Sequence, residues 1–412
     1  MTAPGPVWGE LVGQEAAVRV LVEAAAGARA LIDGPRGEGD GAPATDDRNG
    51  AASADSRSMS HAWLITGPPG SGRSVAARAF AAALQCTGPE PGCGRCPGCR
   101  TTMGRTNGDV RFVATEGSII TTQTARGLVH QAQSAPSQGR WLVIVVEDAD
   151  RLNEQGANAL LKAIEEPPER TVWVLCAPSP EDMIQTIRSR CRHLGLRIPR
   201  AQAVADLLVR EGAADAATAL ESARAAQSHI GLARALARDP QMRRRRREII
   251  AAPVRVRSVG EAVFAADRLL ETAKEQAEAQ TAERDARERA ELMRQLGVED
   301  GEAVARQSRG LLRSLEEDQK RRQKRALNDA LDRALVDLLA IYRDVLMIQL
   351  STGQELVNTD LADLVAELAG DSRPRQTMER IASIEDARRR LLANGNPLLV
   401  LEAMAISLRP QV

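Results

Sequence analysis

Between residues 63 and about 198, short, wholly apolar runs alternate with stretches whose apolar positions recur every three or four residues. That alternation predicts an α/β fold, a three-layer domain with a largely parallel sheet. A strand covered on both faces reads as a continuous apolar run, and residues 62–65, 141–146 and 171–176 have that form. Residues 75–84 read as the helix that leaves the first run. Ahead of this block, residues 8–26 predict a helix-bearing leading segment. Residues 33–60 are Gly, Asp, Ser and Ala with almost no large apolar side chain, the composition of a disordered loop.

After Pro199 the strand signals stop. Residues 201–238 read as small alanine-rich helices, followed by an uninterrupted arginine run at 243–247. Such a run is usually a solvated helix face or a linker, with phosphate contact the lesser reading. Beyond Pro253 all periodicity is helical. Residues 273–325 are densely charged in both signs, broken near Gly301 and Gly310, and predict a long exposed hairpin. Leu327, Leu331, Leu335, Leu338, Tyr342 and Val345 then mark one buried stripe. The expected domains are 1–198, 199–252 and 253–412.

Charge is balanced, fifty-five basic against fifty-five acidic residues. That weighs against a dedicated nucleic-acid binder, whose affinity comes mainly from neutralising phosphates. Eight aromatic side chains in 412 residues leave little for base stacking. No secretory leader pattern opens the chain and no apolar run could span a bilayer, so a cytoplasmic protein without membrane contact is expected.

Chemistry concentrates in three places. Gly67-Pro68-Pro69-Gly70-Ser71-Gly72-Arg73-Ser74 fits the phosphate-binding pattern G-x-x-x-x-G-K-[ST] except that arginine replaces lysine. Guanidinium is wide and planar where the active loop needs a compact point charge, so weak or absent ATP hydrolysis is expected. Four lysines against fifty-one arginines show how drift could supply Arg73, but not why it was tolerated. The apolar run 143–146 ends in Glu147-Asp148, an acidic strand end of the Walker B form with the usual Asp-Glu order reversed. Each carboxylate is then displaced by about a methylene from where magnesium and the attacking water need it. Cys86, Cys93, Cys96 and Cys99 form C-x6-C-x2-C-x2-C, with glycines and proline supplying the bends. Structural zinc is the first reading, ahead of redox pairs and unliganded thiols. Cys176, in an apolar run, reads as packing.

The string from Asn158 through Leu160-Leu161-Lys162 to Glu165-Glu166-Pro167-Pro168, followed by Ser189-Arg190-Cys191, resembles the AAA+ clamp-loader family. The Glu-Asp-Ala-Asp acidic element and the cysteine module after the phosphate loop are similar to the delta-prime branch of bacterial DNA polymerase III. The matches cover roughly residues 7–240. This resemblance implies a P-loop AAA+ domain with a zinc-binding insertion (86–99), a small helical lid and an all-α collar. Val12, Gly13 and Gln14 would flank an adenine, with Gly67, Gly70, Gly72, Arg73 and Ser74 around the phosphates. Arg190 would be an arginine finger offered in trans, and Arg234 the second sensor of the lid. The first sensor would lie in Ala177-Pro178-Ser179, where only Ser179 is polar. Zinc would be structural, and ATP with magnesium weakly bound or not hydrolysed. Implied partners are a hetero-pentameric ring with gamma/tau and delta subunits, the sliding clamp indirectly, and primed DNA through the ring. Two other readings stay open, an ATP-hydrolysing gamma/tau subunit and a zinc-dependent nucleic-acid-binding module.

Overall fold

The apolar runs are the interior of a five-stranded parallel sheet. Its strands are β1 (Ala62–Thr66), β2 (Val110–Val113), β3 (Leu142–Val146), β4 (Thr171–Ala177) and β5 (Arg192–Gly195), in spatial order β2-β3-β4-β1-β5. Every residue of β1, β3 and β4 is buried, whereas the edge strands β2 and β5 mix apolar with polar positions. The computed structural model describes residues 5–33, 58–114, 119–296 and 309–409. Residues 34–57 of the expected loop and 297–308 of the expected hairpin lie outside these.

Alternate strand residues feed two cores. On one face Trp63, Ile65, Val143, Val145, Val172 and Val174 meet the helices Glu15–Asp33 and Arg73–Leu84. On the other, Leu64, Ile144, Val146, Trp173 and Leu175 meet the helices Thr122–Ala132 and Glu154–Glu165. Helices on both faces make the three layers expected. Small side chains let Arg73–Leu84 lie close to the sheet, where Phe80 meets Trp63 edge-on at 5.1 Å between centroids. The register Thr66↔Ala177 and Val146↔Leu175 brings the C-terminal ends of β1, β4 and β3 to one edge, the edge at which open parallel sheets bind ligands.

Contacts divide the chain into two compact units, Met1–Gly212 with Ser228–Leu232 and Ala213–Gln227 with Ala233–Val412. The sheet belongs to the first. The second is helical, and its core lies mainly between the long helices Val259–Gln295 and Arg309–Gln349 and the helices Pro374–Leu392 and Pro397–Leu408. Leu331, Leu335, Leu338, Tyr342 and Val345 of the predicted stripe are buried there, with Leu327 partly so. Arg322, 12% exposed, ties the two long helices together through Asp285 and through Glu288 at 2.9 Å.

The arginine run departs from a uniformly solvated face. It lies in the helix Pro240–Val254, where Arg244 and Arg245 are exposed. Arg246 is buried and donates to Asn358 Oδ1 at 2.8 Å and to Asp337 at 3.2 Å. Periodicity along one helix carries no signal for partners some hundred residues away. No described helix is long and apolar enough to cross a membrane.

Candidate functional site

β1 delivers the chain into the glycine loop, and the helix Arg73–Leu84 leaves it. Gly70 and Gly72 sit at φ 89° and 91°, which only glycine adopts freely. No side chain caps the helix, so its first N–H groups are left toward the loop, the arrangement that favours an anion. Two contacts alter that picture. Arg73 Nη1 donates to the carbonyl of Gly67 at 2.5 Å, so the guanidinium is turned onto its own loop. His229 lies over the turn, its Cα 3.0 Å from where a Cβ on Gly70 would stand. Ser74 is half-buried in the first turn.

Gln14 locks the leading segment to this loop. It is buried, its Nε2 donates to Ser71 O at 3.2 Å and to Arg197 O at 2.5 Å, and its Oε1 accepts from Arg197 N. Gly13, at φ 70°, turns the chain against Pro199, with Val12 half-buried between Gly13 and the buried Leu11. β4, paired with β1, also reaches the loop. Pro178 O accepts from Gly67 N at 3.1 Å. Ser179 is committed locally, its hydroxyl bonded to Glu181 and capping the turn Pro180–Asp182.

At the end of β3, Glu147 is 14% exposed and bonded to Arg105 Nη2 at 2.6 Å. Arg105 also lies over the Phe112 ring, 4.9 Å from its centroid. Asp148 precedes the short 3-10 helix Ala149–Arg151. Burial pushes the Asp150 carboxyl up, and the charge of Asp148 adds to it. Arg105 carries no sequence signal, since 42 positions separate it from its partner.

The family-motif arginine stands apart, between β4 and β5. Arg190 is 39% exposed, its Nε bonded to Glu165 and its Nη1 donating to Thr186 O at 3.0 Å. Cys191 beside it is pushed up to about 12 by burial, and Cys176 is likewise pushed up to about 12 by burial, so both are neutral thiols. Arg234 lies half-buried on the helix Ile230–Arg238.

The four clustered cysteines converge. Their sulfurs lie within 4.8 Å of one another, against about 3.8 Å between sulfurs around a tetrahedral zinc with bonds of about 2.3 Å. Cys96 N donates to Cys93 Sγ at 3.5 Å and Cys99 N to Cys96 Sγ at 3.4 Å, so two tight turns aim the sulfurs inward. Burial works to raise the Cys96 thiol, but the backbone N–H groups of Cys99 and Thr87 outweigh it and lower it to about 6. Cys99, by contrast, is raised, chiefly by burial. Such a donor set could hold a metal ion. The module is braced from outside, Arg29 donating to Cys86 O at 3.0 Å and to Pro89 O at 2.8 Å.

Residues 49–199 match the family described as DNA polymerase III, delta subunit. The chain is similar to the DNA polymerase III subunit gamma/tau of Mycobacterium tuberculosis, 35% identical over 38% of this chain and 28% of that one. It is 34% identical to the subunit delta' of Pseudomonas aeruginosa, over 39% of this chain and 50% of the relative. With the subunit delta' of Escherichia coli the identity is 34%, over 37% and 46% of the two chains. The chain thus spans half the length of these curated relatives or less.

Proposed function

Because residues 49–199 match the DNA polymerase III, delta subunit family and resemble delta' subunits at 34% identity, we propose that this chain is a delta-prime-like clamp-loader subunit, a stator that lends an arginine to a neighbouring ATPase. The observation that carries this reading is a contrast between two guanidinium groups. Arg73 is turned onto the Gly67 carbonyl of its own loop, while Arg190 stands at the surface, 39% exposed, steadied by Glu165.

In that role Arg190 meets the terminal phosphate of ATP held by the adjoining subunit and offsets the charge that develops as the phosphoryl group leaves. The chain's own site would bind ATP and magnesium weakly or without turnover. Arginine replaces the loop lysine, Glu147 and Asp148 stand in reversed order, and Ser179 is engaged in its own cap. Zinc held by Cys86, Cys93, Cys96 and Cys99 would have no open position, so its contribution is to folding of the module. Residues 199–252 serve as lid and 253–412 as collar of a ring with gamma/tau and delta subunits. The sliding clamp and primed DNA are reached through the ring.

The test is the ATPase of the reconstituted ring with Arg190→Ala. Sharply reduced turnover with intact assembly is expected, and unchanged turnover rejects the role. The second reading, an ATP-hydrolysing gamma/tau subunit, draws on the 35% identity to the mycobacterial gamma/tau subunit and on the retained loop glycines. Turnover of several per second by the isolated chain would put it first.

A further inference from the structure

The helix Pro97–Met103, which bears Cys99 and is capped by Cys96, ends in a paired backbone closure. Thr106 N donates to Thr101 O at 2.8 Å and Arg105 N to Thr102 O at 3.0 Å. This pairing puts residue 105 in the left-handed conformation, at φ 58°. Glycine is the usual residue at that position, because a Cβ there is unfavourable. An arginine in its place points to a task for the side chain. That side chain lies over Phe112 of β2 and reaches Glu147 at the end of β3 at 2.6 Å. Glu147 N in turn donates to Val113 O at 2.8 Å, so the ion pair closes a small ring of contacts through β2. The carboxylate is the desolvated partner, 14% exposed against 45% for Arg105.

We propose that Glu147 is the counter-ion of Arg105, so that the acidic strand end anchors the exit turn of the cysteine module and is withheld from a nucleotide-bound magnesium ion. A carboxylate that coordinates magnesium must present its oxygens to the cation, and here one oxygen is already held by a guanidinium of the same chain. The module and the acidic strand end are thereby joined by a charged contact. A loosened module frees the carboxylate. This rests on reading Glu147-Asp148 as the metal-binding end of a degenerate nucleotide site. The test below needs neither a ring nor a neighbour, so its failure is distinguishable from a failure of the role given to Arg190.

The experiment is hydrogen exchange on the purified full chain, read over residues 104–113, for Glu147→Gln, Arg105→Asn and the two together. Asparagine tolerates the left-handed backbone but cannot reach the carboxylate. Loss of a partly buried ion pair corresponds to about fivefold faster exchange. Glu147→Gln is expected to give that acceleration in the parent chain and none when Arg105→Asn is already present. Arg105→Lys, which keeps the charge, recovers part of the protection. Millimolar magnesium with ATP leaves exchange of the parent chain unchanged. Equal acceleration by Glu147→Gln in both backgrounds, no acceleration at all, or release of the turn by magnesium and ATP would overturn the proposal.

Discussion

Glu165 holds Arg190 by its Nε, and Thr186 O and Ser189 Oγ take Nη1 at 3.0 and 3.3 Å. These bonds, at Nε and at Nη1, fix the guanidinium plane from opposite sides, and the outer edge at Nη2 carries none of them. A fork oriented in advance loses less freedom when it meets a phosphate, which is the advantage of arginine over lysine at such a position. If this edge serves a neighbouring ATP, Arg190→Ala lowers turnover at that one site by about a thousandfold. Glu165→Gln, which keeps the shape and removes the charge, costs about tenfold through misplacement. Single-turnover ATP hydrolysis by the reconstituted ring, with gel filtration to confirm assembly, checks both.

Arg73→Lys separates binding from chemistry. Lysine cannot reproduce the planar contact to Gly67 O, so the loop N–H groups become available to phosphate. Tighter nucleotide binding by the isolated chain, by about tenfold, is expected without measurable hydrolysis, because Glu147-Asp148 stays reversed and Glu147 stays bonded to Arg105. Calorimetric titration with ATP, followed by a phosphate-release assay, gives the two answers. Hydrolysis restored by this one change would return the acidic pair to catalytic standing.

Metal content tests the cysteine module directly. One zinc per chain is expected by elemental analysis, and Cys99→Ser should abolish it. Cys99 is buried against Ala82 O at 3.5 Å, in the helix that follows the phosphate loop. Loss of the metal should therefore unfold the module and lower the melting temperature of the whole first unit by several degrees. A parent chain that folds with no zinc would reject the assignment.

How far the sequence disclosed this architecture depended on whether a signal was local. β1, β3 and β4 were legible because they are buried on both faces, which leaves an unbroken apolar run for each. β2 and β5 leave no such run, since Arg111 and His193 interrupt these four-residue edge strands. The helix after the phosphate loop begins at Arg73, two residues ahead of the apolar pattern that announced it at Val75. The cysteines lie within one window, and their convergence is a matter of tight turns. Arg105, Glu165 and Arg246 carry no local signal of their pairings, for one reason. Each acts through a partner 25 to 112 positions away, and a lone charged residue on a helix or turn looks like any solvated one.

Asp109 shows what such long-range pairing is worth. Its carboxylate, buried at the start of β2, accepts from Ser137 N at 2.7 Å, Ser137 Oγ at 2.8 Å and Gln138 N at 2.8 Å, and also from Gly139 N. Burial alone would push this carboxyl up. The N–H groups of Ser137, Gln138 and Gly139 outweigh it and hold it below the usual carboxylate range. The loop that feeds β3 is held by this side chain together with Gln85, whose Oε1 accepts from Arg140 N at 2.9 Å. Asp109→Asn puts a donor where acceptors are needed and should cost about 2 kcal/mol at pH 7. Since the folded-state pKa is depressed, the contribution is complete above the unfolded value of about 3.9 and is lost as pH falls through the folded one. Urea unfolding of parent and variant should therefore differ at neutral pH and converge in strong acid. A gap that persists unchanged below pH about 2 would mean that shape, not the charge of the carboxylate, supports the loop.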